Sequence, residues 1–296
     1  MTVSTPTAHD TQDQLRALRG VLRELGSVLV CYSGGIDSAF VLAVAHAELG
    51  ERAIGMTAVS PSLSPSEKAD AARIAERLGV HHRFVDSHEL ERPGYVQNGP
   101  DRCFHCKSEL YDIAEAKRAE WQLAAVVNGT NRDDLGDYRP GLEAAKNARV
   151  RSPLLEVGMT KRDVRAAAQA IGMDIWDKPA AACLASRVPY GTPVNLGTLR
   201  SVAEAESGLR ALGFRQLRVR HYGDTARIEV PPEDLARAVA RRQEVAEAVH
   251  RAGYRYVTLD LDGFRSGNLN DALQDEALVS AVSAASAVSV VSGGQQ

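Results

Sequence analysis

Ser33-Gly34-Gly35-Ile36-Asp37-Ser38 is the segment best suited to chemistry. It follows an apolar run over residues 27–32 and precedes an Ala-, Val- and Leu-rich run over 38–49, so a strand is predicted to turn there into a helix. Gly34 and Gly35 permit a tight turn and let the backbone approach an anion closely. The unpaired N–H groups and the dipole of a helix start favour negative charge, and the hydroxyls of Ser33 and Ser38 add donors. Asp37 would repel a phosphate directly, so its expected task is to hold a divalent metal, Mg2+, that phosphates share. The loop has no Gly-Lys-Ser/Thr ending and is not of the Walker type.

The second chemical feature is sulfur. Cys103-Phe104-His105-Cys106 stands just before a predicted helix over 107–119, and Cys183 lies far along the chain. A Cys-x-x-Cys pair suits a metal, a disulfide switch or an iron–sulfur cluster. Three thiolates would leave one corner of a 4Fe-4S cube without a protein ligand. Zinc with His105 or His81, or a redox pair with an independent Cys183, is the competing use. Cys31 sits inside an apolar strand and is expected to be a small core residue.

These groups need a scaffold, and the hydrophobic pattern supplies one. Helices are predicted over 14–25, 38–49, 66–78 and 107–119, and strands over 27–32, 53–59, 82–86 and 123–127. Thr160-Lys161-Arg162-Asp163 reads as a capping box opening a helix to residue 171. The alternation implies an α/β fold with a parallel sheet, whose ligands gather at the carboxyl ends of the strands. The loop after Tyr32, Ser60 after Val59, and Gly129 and Thr130 after Val127 all fall there.

Past residue 193 the pattern changes to a helix over 199–212, strands over 216–220 and 226–230, one long helix over 233–252 and a strand over 256–261. This predicts a small α+β domain. The organisation is read as a disordered lead-in (1–12), a parallel-sheet domain (13–192), a small α+β domain with its own core (193–275) and a low-complexity tail (276–296). A net charge of -3 offers no global basic field for nucleic acid, and no apolar run approaches the ~20 residues that span a bilayer. Residues 1–12 lack the pattern of a secretory signal, so a cytoplasmic protein is expected.

The string Ser33 to Ser38 resembles the motif of the PP-loop ATP pyrophosphatases. That resemblance implies cleavage of ATP between its α- and β-phosphates, with AMP placed on a substrate carboxylate or carbonyl that a nitrogen or sulfur nucleophile then attacks. Further strings narrow it. Pro100-Asp101-Arg102-Cys103-Phe104-His105-Cys106-Lys107, the run from Gly129-Thr130-Asn131-Arg132-Asp133-Asp134 through Asp137-Tyr138-Arg139-Pro140-Gly141, Arg151-Ser152-Pro153-Leu154, and Trp176-Asp177-Lys178-Pro179 through Arg187 together resemble the LarE-type ATP-dependent sulfur transferases of nickel-pincer nucleotide cofactor biosynthesis. The likeness runs from about residue 15 to 261. It implies a pyridinium-3,5-biscarboxylic acid mononucleotide substrate, ATP and Mg2+. With Cys103, Cys106 and Cys183 all present, it implies the branch with a 4Fe-4S cluster. Cys183 occupies the position at which another branch sacrifices its own cysteine sulfur.

The resemblance also places adenine and ribose near Thr57 and Ser60, and implies a substrate or oligomerisation role for the domain over 193–275. It implies a homo-oligomer, a sulfide donor and other enzymes of the cofactor pathway as partners, with no membrane or nucleic acid. Asp133 and Asp134 follow a predicted strand end, where one is expected to help with Mg2+ or position the substrate, or else to sit in a solvated loop or helix start. Ser186 and Arg187 follow Cys183, and an arginine suits phosphate or carboxylate. Arg218 and Arg220 share one face of a predicted strand with Val219 opposite, which favours the substrate's phosphate or else is an exposed polar face. A tRNA-thiolating enzyme, an ammonia-using amide synthetase and a non-catalytic nucleotide sensor are the alternatives.

Overall fold

The computed structural model describes residues 8–136, 140–176 and 182–265. Asp137, Tyr138, Arg139, the Asp177-Lys178-Pro179 string and the 276–296 tail lie outside the described residues. The chain divides into two units.

The first unit carries the parallel sheet. Its elements are α1 (Ala8–Leu25), β1 (Val28–Cys31), α2 (Ile36–Leu49), β2 (Ala53–Val59), α3 (Pro65–Arg77), β3 (His81–Asp86), α4 (Pro93–Val96), α5 (Arg102–Glu120), β4 (Ala125–Val127), α6 (Pro140–Asn147), α7 (Pro153–Glu156) and α8 (Lys161–Ala170). The strands pair in the order β3-β2-β1-β4, all parallel. β1 is buried throughout, as an apolar strand between two covered faces must be. Its alternating side chains divide the core: Val28 and Val30 pack with α1, α2 and α8, while Leu29 and Cys31 pack with Met56, Tyr111 and Ala114.

Local signals set the helix starts. The Ser64 hydroxyl accepts from the Glu67 N–H at 3.2 Å, with Pro65 in the first turn of α3. Thr160 and Asp163 form the expected capping box of α8. Two helices begin earlier than their apolar period indicates. α1 starts at Ala8 rather than residue 14. α5 starts at Arg102, so Cys103 and Cys106 lie within its first two turns and not ahead of it. Buried Arg102 donates to Asn98, and His105 pairs with Asp101 at 3.0 Å one turn back, which holds this polar opening in helical form.

The second unit holds α9 (Leu196–Ala211), β5 (Arg218–Tyr222), β6 (Thr225–Glu229), α10 (Pro232–Ala240), α11 (Arg242–Arg251) and β7 (Tyr256–Leu259). β5 and β6 form an antiparallel hairpin across Gly223 (φ 59°), and β7 joins β6 in parallel. The predicted helix over 233–252 is two helices. Arg241 ends one and caps the next, with its guanidinium donating to the Leu212 carbonyl at 2.6 Å. A one-residue break leaves the apolar period nearly intact, so periodicity does not reveal it.

Candidate active site

The loop after β1 is braced from within. Ser38 Oγ accepts from the Ser33 N–H at 3.2 Å, donates to the Gly35 carbonyl at 3.1 Å and lies 3.1 Å from Ser33 Oγ. Gly34 has φ 75°, and a Cβ there would stand 3.1 Å from the Ala71 Cβ of α3. The end of β4 closes on the same loop. A Cβ at Gly129 would lie 2.6 Å from the Ser38 nitrogen and 2.9 Å from the Asp37 carbonyl carbon, both backbone atoms. Gly129→Ala is therefore expected to push β4 and the loop apart, at a cost of about 1–3 kcal/mol. Thermal unfolding should show a lower Tm together with a loss of ATP turnover; an unchanged Tm would mean that the two segments yield freely.

Asp37 stands in the first turn of α2. Its Oδ1 is buried and accepts no hydrogen bond. Burial, followed by the charge of Asp134, pushes its carboxyl above the usual range, while Lys161, Asn131 and Arg165 pull it back. The two neighbouring carboxylates named from the sequence separate in role. Asp133 is exposed and caps α8 by accepting from the Lys161 N–H at 2.9 Å. Asp134 is buried, accepts from the Asn131 N–H at 3.1 Å and has Lys161 Nζ at 3.4 Å. It is Asp134 whose charge reaches Asp37.

Thr57 and Ser60 have their hydroxyls engaged by the protein. Thr57 donates to the Tyr32 carbonyl at 2.6 Å and meets His82 Nε2 at 2.8 Å. Ser60 donates to Glu89 at 2.7 Å. Thr130 is tied through its N–H to Asn128 Oδ1 at 3.0 Å.

None of the four cysteines is in a disulfide. Cys31 is a core residue, its thiol pushed up to about 12 by burial. Cys103 and Cys183 are exposed, and Cys106 is half-buried with its Sγ 3.1 Å from Glu89 Oε2. Burial first, then Glu89, drives the Cys106 thiol well above its ordinary value, and Cys183 adds to the effect. Lys107 has no role that the sequence alone assigns. Desolvation opposes its charge, but Tyr111, Cys106, Cys31 and Cys103 outweigh it and hold its pKa above the ordinary value. Among the described residues, no three His, Cys, Asp or Glu side chains are arranged to hold a metal ion.

The remaining candidates belong to the second unit. Arg187 makes a two-pronged pair with Glu206 at 2.8 and 3.2 Å and reaches Ser186 Oγ at 3.0 Å. Arg220 pairs likewise with Glu229 at 2.9 and 3.0 Å and donates to the Ser186 carbonyl at 2.7 Å. Arg218 lies over the Phe264 ring and donates to the Arg265 carbonyl at 3.2 Å. Burial, then the charges of Arg220 and Arg187, lower its pKa to about 10. Arg218 and Arg220 are buried, so the exposed polar face allowed by the sequence is not what forms. Glu206 and Glu229, both fully buried, are the partners that strand alternation alone could not assign.

A parallel sheet with this loop at the carboxyl end of its second-from-edge strand defines an ATP-using enzyme of the PP-loop class. The asparagine synthase family matches residues 15–95. An uncharacterised protein of Synechocystis is 44% identical over 264 residues, which cover 88% of this chain and 98% of that one. The pyridinium-3,5-bisthiocarboxylic acid mononucleotide synthase of Lactiplantibacillus plantarum is 38% identical over 257 residues, covering 86% of this chain and 93% of its own. A tRNA-specific 2-thiouridylase of Rickettsia typhi is 27% identical over 195 residues, covering 52% of this chain and 53% of its own. The chain belongs to the pyridinium-3,5-bisthiocarboxylic acid mononucleotide synthase family, ATP-dependent sulfur transferases built on the PP-loop fold. No described helix is long and apolar enough to cross a membrane.

Proposed function

We propose that the protein uses ATP to adenylylate the carboxylates of pyridinium-3,5-biscarboxylic acid mononucleotide and converts them to thiocarboxylates. The observation that carries this reading is the Ser33–Ser38 loop after β1, with the buried Oδ1 of Asp37 in the first turn of α2, in a chain 38% identical to the pyridinium-3,5-bisthiocarboxylic acid mononucleotide synthase. A carboxylate resists nucleophiles until one oxygen becomes a leaving group. Its oxygen attacks the α-phosphorus and pyrophosphate departs; sulfur then attacks the acyl carbon and AMP departs with that oxygen. The Ser33–Ser38 loop holds the phosphates through its N–H groups and hydroxyls.

Asp37 and Asp134 fit a Mg2+ ion, because a buried carboxylate oxygen without a hydrogen bond stands beside a second carboxylate. Asp133, engaged as a helix cap, is left out of that set. When bound, Mg2+ neutralises phosphate charge. Cys103, Cys106 and Cys183 supply the donor types of a 4Fe-4S cluster, with two thiols one helical turn apart and a third within electrostatic reach of Cys106. When bound, such a cluster carries an exchangeable sulfide on its open iron. A second reading, donation of sulfur by Cys183 itself, is favoured by the engagement of Cys106 with Glu89.

In the second unit Arg218 is the proposed contact for the nucleotide phosphate, since Arg187 and Arg220 already neutralise Glu206 and Glu229. A homo-oligomer, a sulfide donor as partner and a cytoplasmic location complete the proposal.

The test is to supply ATP, Mg2+ and the dicarboxylate nucleotide and to follow the cleavage products. AMP and pyrophosphate are expected only when the dicarboxylate is present. Release of ADP, or cleavage that requires tRNA instead, would overturn the reading.

A further inference from the structure

Glu89 opens the 3-10 helix Glu89–Glu91 after β3 and is only 3% exposed. Its carboxylate accepts hydrogen bonds from Ser60 Oγ at 2.7 Å, from Ser62 Oγ, and from the Cys106 thiol at 3.1 Å. No lysine, arginine or histidine among the described residues pairs with it. A carboxylate buried among neutral donors is costly, and this one has no part in the ATP loop. One hydrogen bond links its support, Ser62, to the segment of Cys183. The carbonyl of Ser62 accepts from the N–H of Leu184, the residue after Cys183, at 2.8 Å. Tyr95, 1% exposed, lies where the charges of Cys183, Glu89 and Cys106 all reach its hydroxyl.

We infer that Glu89 is a positioning residue of the sulfur-delivering side, fixing Cys106 beside Cys183 through a support made by Ser60 and Ser62 and taking no part in adenylylation. This rests on the proposed use of these thiols in sulfur delivery. Ser60 thereby acquires a task other than nucleotide contact: its hydroxyl orients the carboxylate that orients the sulfur.

The experiment compares full-length wild type, Glu89→Gln, Glu89→Ala and Glu89→Asp. First, iodoacetamide labelling of each cysteine is followed by peptide mass at neutral pH without substrates. Cys106 should label about tenfold faster in Glu89→Ala, as release of one charge-assisted hydrogen bond allows, while Cys103 is unchanged. Second, pyrophosphate and thiocarboxylate are measured together in a single turnover. Pyrophosphate release should stay within about twofold of wild type in Glu89→Gln, while thiocarboxylate per pyrophosphate falls by about tenfold or more. Glu89→Asp should recover part of that ratio. Unchanged Cys106 labelling, or equal loss of pyrophosphate release and thiocarboxylate, would overturn the inference. Ser62→Ala, which removes one support and leaves the carboxylate, should move both readouts the same way by less and serves if Glu89→Ala fails to fold. If wild type forms no AMP with the dicarboxylate, the functional proposal fails, yet the labelling still decides whether Glu89 holds Cys106.

Discussion

Asp37→Asn is expected to cut AMP formation by about a hundredfold to a thousandfold, the scale of losing one preorganised group that stabilises charge in a reaction. The amide keeps the shape of the first turn of α2 but removes the only carboxylate of the Ser33–Ser38 loop. The same change is expected to stabilise the protein without ligands at neutral pH. Folding raises the Asp37 carboxyl above its ordinary 3.8, chiefly through burial and then Asp134. A group raised in this way favours folding fully below that ordinary value, and the contribution is lost as pH rises through the raised one. At pH 7 the ionised side chain therefore costs stability, and the amide relieves the cost. Thermal unfolding in the absence of nucleotide should show Asp37→Asn at or above the wild-type Tm at pH 7, and the advantage should vanish near pH 3. Addition of Mg2+ and ATP should raise the Tm of wild type far more than that of the variant. A variant with a lower Tm at pH 7 and normal AMP formation would remove Asp37 from the site.

The second large effect concerns sulfur. Cys183→Ser is expected to lower thiocarboxylate formation, and the AMP release coupled to it, by about a thousandfold while single-turnover pyrophosphate release persists, because only the second half of the reaction uses the thiol. Cys103→Ala and Cys106→Ala separate the two sulfur sources. If a cluster on all three thiols carries the sulfide, each substitution ends sulfur transfer and removes bound iron. If Cys183 gives its own sulfur, the other two substitutions leave one turnover intact, and the wild-type protein loses one sulfur from residue 183. Equal loss of pyrophosphate release in Cys183→Ser would place Cys183 in the ATP chemistry instead.

Much of the nucleotide side was legible because its signals are local. The apolar run before Ser33, the glycines of the turn and the capping box at Thr160 each act within a few residues, and each lies where the pattern put it. The start of α5 was not legible, since Arg102 and His105 are held by Asn98 and Asp101 rather than by an apolar stripe. Partners across the fold were also hidden. Asp133 and Asp134 are adjacent and chemically alike; only the arrival of α8 makes one a cap and the other a neighbour of Asp37. Glu89 gave no signal, because its role depends on Ser60, Ser62 and Cys106, brought together from the ends of β2 and β3 and from α5. The arginines of the hairpin share a face by alternation, but the pairing of Arg220 with Glu229 needs β6, and that of Arg187 with Glu206 needs α9.

The central claim is that ATP is spent to exchange a carboxylate oxygen for sulfur on a small nucleotide. Its most direct measurement is a single anaerobic turnover with ATP, Mg2+ and pyridinium-3,5-biscarboxylic acid mononucleotide, with AMP counted and the nucleotide weighed by mass spectrometry. The expected result is a product heavier by the difference between sulfur and oxygen, with one AMP for each exchange. AMP released with no sulfur in the product, or an amide in place of the thiocarboxylate, would contradict it.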